Sequence, residues 1–364
     1  MNEGHRETVI DLDDVAAIEG LDSLDVLGTV ERFGEQCREG WTIGRAARYL
    51  PDAEGLENVV VLGMGGSGIS GDVVQALIEP RLQLPWRTIK SYGPLPDWVG
   101  RNSLVVAVSY SGGTEETLAA FEDAHTKGAR MVAISSGGPL ADVAANSGTT
   151  HVRIPGGFQP RASLGFLSLP LLAVLVEMGL VPDLQGDVDE AVGVLSSIAN
   201  RCHRKVPLVD NPAKQLAVRL YERVAVIYGG FGPGAVAAYR FKCDLNEYGK
   251  VPAFANLIPE LNHNEIVGWS GLRDLTSKQF TLVLLRDSVE HPRVSLRFEV
   301  TEQLVRDAAA DVVTVESEGK GALCRLFSLI LVTQLTAIYV GLSGGVDPGP
   351  VTVIEDLKNQ LAQR

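Results

Sequence analysis

Residues Leu104–Thr117, reading LVVAVSYSGGTEET, limit the possible folds more than any other stretch of the chain. The apolar run Leu104–Val108 has the character of a strand buried on both faces. It stops at Ser109, Ser111 and Thr114, set among two glycines, and a helical pattern follows. Strand, polar glycine-rich turn and helix make one half of a βαβ unit. A parallel sheet with ligands beyond its carboxyl edge is the expected result. Three hydroxyls and several backbone N–H groups just before a helix N-terminus form an anion site. The turn has no lysine, so it is not the Gly-Lys-Ser/Thr loop that reaches nucleotide phosphates. A neutral hydroxyl cradle suits one phosphate monoester on a small molecule.

The same rhythm runs through most of the chain. A helix is expected over 24–50, ending at Pro51. Strands are predicted over 58–62, 86–92, 104–108, 130–134 and 150–154, with helices after the first, through Ile78, and after the third, over 114–127. After a linker at 182–189 the pattern restarts. VVVLGMGGSG (59–68) and VAVIYGGFGPG (224–234) are both apolar strands running into glycine clusters, which suggests an internal duplication. Later strands are predicted over 280–285 and 311–315. The expected fold is α/β, two doubly wound parallel-sheet subdomains in tandem. Residues 1–50 supply a loosely held lead-in and a helix, 51–182 the first domain with its phosphate-binding loops, and 183–364 the second.

Composition removes several function classes. A net charge of −13 over 364 residues disfavours nucleic acid and anionic membranes as partners. The four cysteines show neither a CxxC nor a pairing rhythm, so no zinc ribbon or disulfide framework is indicated. The polar, acidic start is unlike a signal peptide. The apolar stretches 163–182 and 326–342 carry Pro170 and Glu177 in one case and Ser328, Thr333, Gln334 and Thr336 in the other. Both are expected to be core helices rather than membrane spans. Together these features predict a soluble cytoplasmic protein. The histidines show no metal-binding spacing, and no metal is expected.

Gly63–Gly68 fits GxGxxG after a strand. A dinucleotide fold wants an acid at the end of the second strand to hold the ribose. Lys90, Ser91 and Tyr92 stand there instead. Two readings stay open: the glycines let backbone approach a smaller ligand, with Ser67 adding a hydroxyl, or they only make a tight turn.

Taken together, the two loops resemble the sugar isomerase (SIS) domain, whose members hold phosphosugars in a strand-end Ser-x-Ser-x-x-Thr loop. Within that fold the chain is similar to the bifunctional phosphoglucose/phosphomannose isomerases. The similarity runs through FGEQCREGW (33–41), GMGGSGISGD (63–72), SYSGGTEET (109–117), GGFQPRASLG (156–165), LNEYGK (245–250) and ELNHNEIVGW (260–269), in family order. It implies a cofactor-free aldose–ketose isomerase acting on hexose 6-phosphates: glucose 6-phosphate and mannose 6-phosphate converted to and from fructose 6-phosphate. Gly65, Gly66, Ser67, Ser109, Ser111 and Thr114 would bind the phosphate.

Such a reaction moves a proton between C1 and C2 through an enediol. It needs a carboxylate base, a group that opens the pyranose ring, and a cation near the developing oxyanion. The resemblance assigns these roles to Glu247, in the polar LNEYGK turn, to His263 and to Arg161. It also implies that Lys358 contacts sugar hydroxyls, and that His263 reaches the active site of a partner subunit in a homodimer. Two positions depart from the family pattern: Gly113 replaces the Asn of SGNTEET, and Gly349 in DPGP stands where many relatives have Thr. A non-catalytic phosphosugar-binding module and an isomerase of a different phosphosugar are the alternative readings.

Overall fold

The computed structural model describes residues 10–363. The polar start, residues 1–9, and His5 within it lie outside the described residues. In chain order the regular elements begin with three helices, α1 (Val15–Leu21), α2 (Val26–Glu31) and α3 (Phe33–Arg45). There follow β1 (Asn58–Leu62), α4 (Gly65–Ile78), β2 (Trp86–Ile89), β3 (Ser103–Val108), α5 (Glu115–Thr126), β4 (Arg130–Ser135), α6 (Gly138–Asn146) and β5 (Thr150–Arg153). Next come α7 (Leu164–Glu177), α8 (Gln185–Arg201), α9 (Pro212–Leu220), β6 (Val224–Gly230), α10 (Pro233–Glu247) and β7 (Ala253–Ile258). The chain ends with α11 (Arg273–Gln279), β8 (Phe280–Arg286), α12 (Pro292–Val305), β9 (Asp311–Glu316), α13 (Ala322–Ser343) and α14 (Thr352–Ala362).

Both sheets are wholly parallel. The first has order β2-β1-β3-β4-β5 and the second β7-β6-β8-β9. The second repeats the first strand for strand and lacks only a counterpart of β5. The expected duplication is therefore present in the topology. β7 was not among the predicted strands. It is an edge strand, and AFANLI buries only its two end residues, so it lacks the continuous apolar run of a central strand.

The chain divides into two compact units. One holds Arg32–Ser196 and Glu318–Phe327, with the first sheet. The other holds the described residues up to Glu31, Ser197–Ser317 and the chain from Ser328 on, with the second sheet. The units depart from the expected boundaries in the lead-in, in α8 and at Glu318–Phe327. The lead-in is not loose from residue 10 on. Ile18 is fully buried, and the buried Lys214 ammonium donates to Asp13 (3.3 Å) and to the carbonyls of Arg204 (2.9 Å) and Val206 (2.7 Å). Most of α8 goes with the first sheet. Trp41 Nε1 donates to Gln185 (2.7 Å), and Glu190 accepts from the backbone of Lys320 and Gly321. The single helix expected over 24–50 is broken at Arg32, where the chain passes from one unit to the other.

The core of the first unit runs through β1, β3 and β4, whose residues are almost all fully buried. α7 is buried along nearly its whole length despite Pro170. α13 is long and apolar enough to cross a membrane, but 94% of its apolar window is buried inside the protein. Both apolar stretches are therefore core helices, as their interrupting polar residues suggested.

Candidate active site

In the first sheet the chain leaves β1 toward β2 on one side, and β3 lies on the other. This is the switch point at which parallel sheets open a crevice beyond their carboxyl ends. The two loops singled out in the sequence line it. Gly65, Gly66 and Ser67 form the first turn of α4, and Thr114 is the N-cap of α5. Two helix N-termini thus face one mouth, each favouring an anion.

The loops are fastened together by their own hydroxyls. Tyr110 N–H donates to Ser67 Oγ (3.0 Å), and Ser109 Oγ is 2.9 Å from Thr114 Oγ1. Ser67 and Ser109 are buried, whereas Ser111 is exposed. Ser111 Oγ accepts from Gly113 N–H at 3.3 Å. A second brace comes from the loop after β4. Ser136 donates to the Tyr110 carbonyl through both N–H (2.9 Å) and Oγ (2.7 Å), and Leu140 N–H donates to Gly112 O (2.8 Å). Gly112 sits at φ +70°, where a Cβ would lie 1.9 Å from the Gly137 carbonyl. Gly113 meets nothing closer than 4.0 Å. The departure from Asn at that position is therefore not forced by lack of space.

Arg161 belongs to the same mouth. It lies in the 3₁₀ turn Pro160–Ala162 and is 5% exposed. A Cβ at Gly66 would fall 2.9 Å from Pro160 O and 3.4 Å from Arg161 Cα, so the turn packs on the start of α4. Tyr110 anchors the approach to this turn: its hydroxyl donates to Pro155 O (3.1 Å) and accepts from Phe158 N–H (2.8 Å). The structure therefore brings Gly65, Gly66, Ser67, Ser109, Ser111, Thr114 and Arg161 together. Tyr110 joins all three loops, a role that sequence reading missed. The only sign of it was the aromatic residue between the two serines.

The counterpart loop in the second sheet differs. β8 ends at Arg286 and the chain goes on Asp287-Ser288-Val289-Glu290, with Arg286 Nε paired to Glu290 at 2.8 Å. Two carboxylates and a single hydroxyl, that of Ser288, stand in this loop, where the first sheet offers three hydroxyls.

The remaining candidates lie in the second unit. Glu247 is the last residue of α10 rather than part of a turn, because the helix continues through Leu245 and Asn246. It is half-buried, one turn beyond the buried Arg240–Asp244 ion pair (2.9 Å). Lys250 Nζ donates to the carbonyl of Glu247 and to Pro350 O (2.6 Å). That link holds the DPGP segment, and with it the start of α14, beside Glu247. Lys358 is exposed on α14. A Cβ at Gly349 would meet Leu24 Cγ at 3.0 Å, so a larger residue there must displace Leu24.

His263 ends the 3₁₀ turn Glu260–His263, five residues beyond β7, and is exposed. Within one chain it is far from Glu247. α10 starts just past the carboxyl end of β6 and returns to the opposite edge, about 22 Å for 15 residues. β7 then carries the chain back roughly 20 Å before His263 is reached. The two stand at opposite ends of the second sheet.

A cavity of about 690 Å³ lined by Ile43, Tyr49, Thr150, His151 and Arg153 lies along β5 and contains none of these residues. In it His151 Nε2 is 2.8 Å from Ser135 Oγ, and burial holds its pKa below the usual histidine value.

Comparison with known proteins follows the same lines. Residues 209–361 match the bacterial phospho-glucose isomerase C-terminal SIS domain. Over 335 residues the chain is 37% identical to a bifunctional phosphoglucose/phosphomannose isomerase of Caldicellulosiruptor bescii, covering 92% of this chain and 98% of that one. The corresponding protein of Aquifex aeolicus is 34% identical over 85% of this chain and 92% of its own length. A D-glucosamine-6-phosphate 4-epimerase of Sulfolobus acidocaldarius is 30% identical over 69% of this chain and 76% of its own. The fold is shared with a glucose-6-phosphate isomerase like protein of Thermus thermophilus (TM-score 0.62, 18% identity, 96% and 99% covered). It is shared too with the C-terminal domain of a glucosamine-fructose-6-phosphate aminotransferase of Francisella tularensis (TM-score 0.64, 15% identity, 88% and 96% covered). With two α/β units of SIS topology and this identity along most of its length, the chain belongs to the bifunctional phosphoglucose/phosphomannose isomerase family.

Proposed function

We propose that the protein is an aldose–ketose isomerase that converts glucose 6-phosphate and mannose 6-phosphate to and from fructose 6-phosphate. The observation that carries this reading is the lysine-free hydroxyl seat at the β1/β3 switch point, with the buried Arg161 packed on its rim. It suits a monoester phosphate and leaves the sugar carbons near a guanidinium. The names of the relatives above agree with that chemistry.

In this reading Ser67, Ser109, Ser111 and Thr114, with the N–H groups of Gly65 and Gly66, hold the phosphate. His263 exchanges protons with the ring oxygen and the C1 hydroxyl, which opens the pyranose. Glu247 takes the C2 proton and returns it to C1, while the hydroxyl proton moves from O2 to O1 in the enediol. Arg161 steadies the enediolate oxygen, and Lys358 contacts sugar hydroxyls. Glucose and mannose 6-phosphates differ only at C2, and both give the same enediol. No hydride leaves, so the scheme has no redox cofactor.

We also infer a homodimer in which His263 serves the partner's site. Two features support this. Glu247 and His263 are separated by a strand length within one chain. The edge strand β7 and the segment after it expose Phe254, Val267, Leu272 and Leu275, apolar surface suited to a second copy. A cytoplasmic setting fits four cysteines that form no disulfide among the described residues.

The test is direct. EDTA-treated protein is incubated with each hexose 6-phosphate and the products are followed by NMR. Interconversion of all three sugars is the expected result. Tight fructose 6-phosphate binding with no turnover would leave a binding module instead. The epimerase relative makes an amino-sugar phosphate the first substrate to add if all three fail.

A further inference from the structure

The segment that carries His263 is clamped on both sides of it, while the imidazole itself is left unused. On the N-terminal side Asn262 Nδ2 donates to Thr301 Oγ1 on α12 (2.8 Å), and Asn262 Oδ1 accepts from Arg297 (3.3 Å). On the C-terminal side Asn264 Oδ1 accepts from Glu265 N–H (2.6 Å). The Glu265 carboxylate then reaches into the sheet. It accepts from Tyr228 Oη on β6 (2.8 Å) and from Asn256 Nδ2 on β7 (2.5 Å). Tyr228 Oη in turn accepts from Trp269 Nε1 (2.8 Å). The His263 imidazole is exposed and makes no hydrogen bond among the described residues.

Three points set this network apart from ordinary packing. Glu265 is partly buried and has no cation within ion-pair distance among the described residues; its partners are two neutral donors. Taking a carboxylate out of water for neutral donors is a weak way to gain stability. It is an effective way to fix geometry, since each donor comes from a different strand. Tyr228 is fully buried, and burial pushes its phenol well above the usual value, so it remains a donor at any working pH.

We propose that Glu265, gripped by Tyr228 and Asn256, is the positioning residue for His263. It locks the backbone of the 260–270 segment, so that an imidazole with no hydrogen-bond partner among the described residues is presented from a fixed point. Angular precision of this kind governs proton exchange with a ring oxygen more than it governs binding. The inference rests on the reading of His263 as the ring opener.

The experiment is a double-mutant cycle on the full-length protein. Tyr228→Phe is measured alone and in a His263→Asn background, with glucose 6-phosphate as substrate and thermal unfolding alongside. Alone, Tyr228→Phe is expected to lower kcat about tenfold with KM within twofold. In the His263→Asn background the same change is expected to alter the residual rate less than twofold. A second variant guards against misfolding: Glu265→Gln lowers kcat, and adding Asn256→Asp, which reverses the direction of that hydrogen bond, restores it. Wild-type kcat in Tyr228→Phe, or an equal fold-loss in both backgrounds, overturns the proposal while His263 keeps its role. If Tyr228→Phe does not fold, failure of Asn256→Asp to rescue Glu265→Gln overturns it. Full activity in His263→Asn alone removes the ring-opener reading itself, and the positioning role falls with it.

Discussion

The backbone N–H of Tyr110 donates to Ser67 Oγ at 3.0 Å, so the two loops of the phosphate seat are joined through a hydroxyl that also belongs to the seat. Ser67 accepts one bond from the protein and keeps its own proton for a ligand. Removing the hydroxyl has two consequences: it leaves a buried N–H without its partner and takes one donor from the phosphate. Ser67→Ala is expected to destabilise the fold by about 1–3 kcal/mol. It should also raise KM roughly tenfold with kcat less affected. Denaturant unfolding and steady-state kinetics measure the two effects separately. An unchanged KM would take Ser67 out of the seat.

Glu247 is expected to behave differently. Glu247→Gln keeps the shape and the helix end but cannot take a proton. Loss of about 10²–10⁴-fold in kcat is expected, with phosphosugar affinity within a few-fold of wild type. Calorimetric titration of fructose 6-phosphate gives the affinity, and NMR product analysis gives the rate. Turnover at the wild-type rate would remove Glu247 from the mechanism.

The neighbouring glycines of the hydroxyl loop make opposite predictions. Gly113→Asn, which restores the residue usual in the family, is expected to cost less than about 0.5 kcal/mol, because the site is open. Gly112→Ala places a methyl group on the Gly137 carbonyl at positive φ and is expected to cost about 3 kcal/mol or more. Equal stability of the two variants would show that the loop is not braced against the β4 loop as described.

His151 supplies a pH dependence. Burial lowers its pKa relative to the unfolded chain, outweighing the opposing hydrogen bond with the Ser135 backbone, and the nearby Arg153 charge adds a smaller push the same way. Between its folded and unfolded pKa values the unfolded state binds more protons. Its contribution is thus present above the ordinary histidine value and is lost as pH falls below it. His151→Asn is expected to flatten the decline in thermal stability as pH falls below the ordinary histidine value. A decline as steep as in the wild type would place the acid sensitivity elsewhere.

The parallel strands were readable because each central strand is a continuous apolar run, and those of the first sheet end in glycine or serine. That pattern is local and needs no partner to be recognised. The duplication and the hydroxyl loop were legible for the same reason. β7 was not, because an edge strand buries little and leaves a weak pattern. Nor was α6, whose start at Gly138-Pro139 follows a glycine turn that looks like loop.

What the sequence by itself determined was chemistry: which hydroxyls, carboxylates and imidazole the chain has, and the turn or helix end that carries each. Tertiary structure alone decided which groups share a mouth and which do not. The turn that carries Arg161 lies beside the Ser67 loop because it packs on the bare backbone of Gly66. Glu247 and His263, sixteen positions apart, are parted by the length of a strand. The reason is physical. Spacing along the chain fixes the face of one element, whereas the distance between elements is set by packing and by hydrogen bonds such as Tyr228 to Glu265, whose partners lie far apart in sequence.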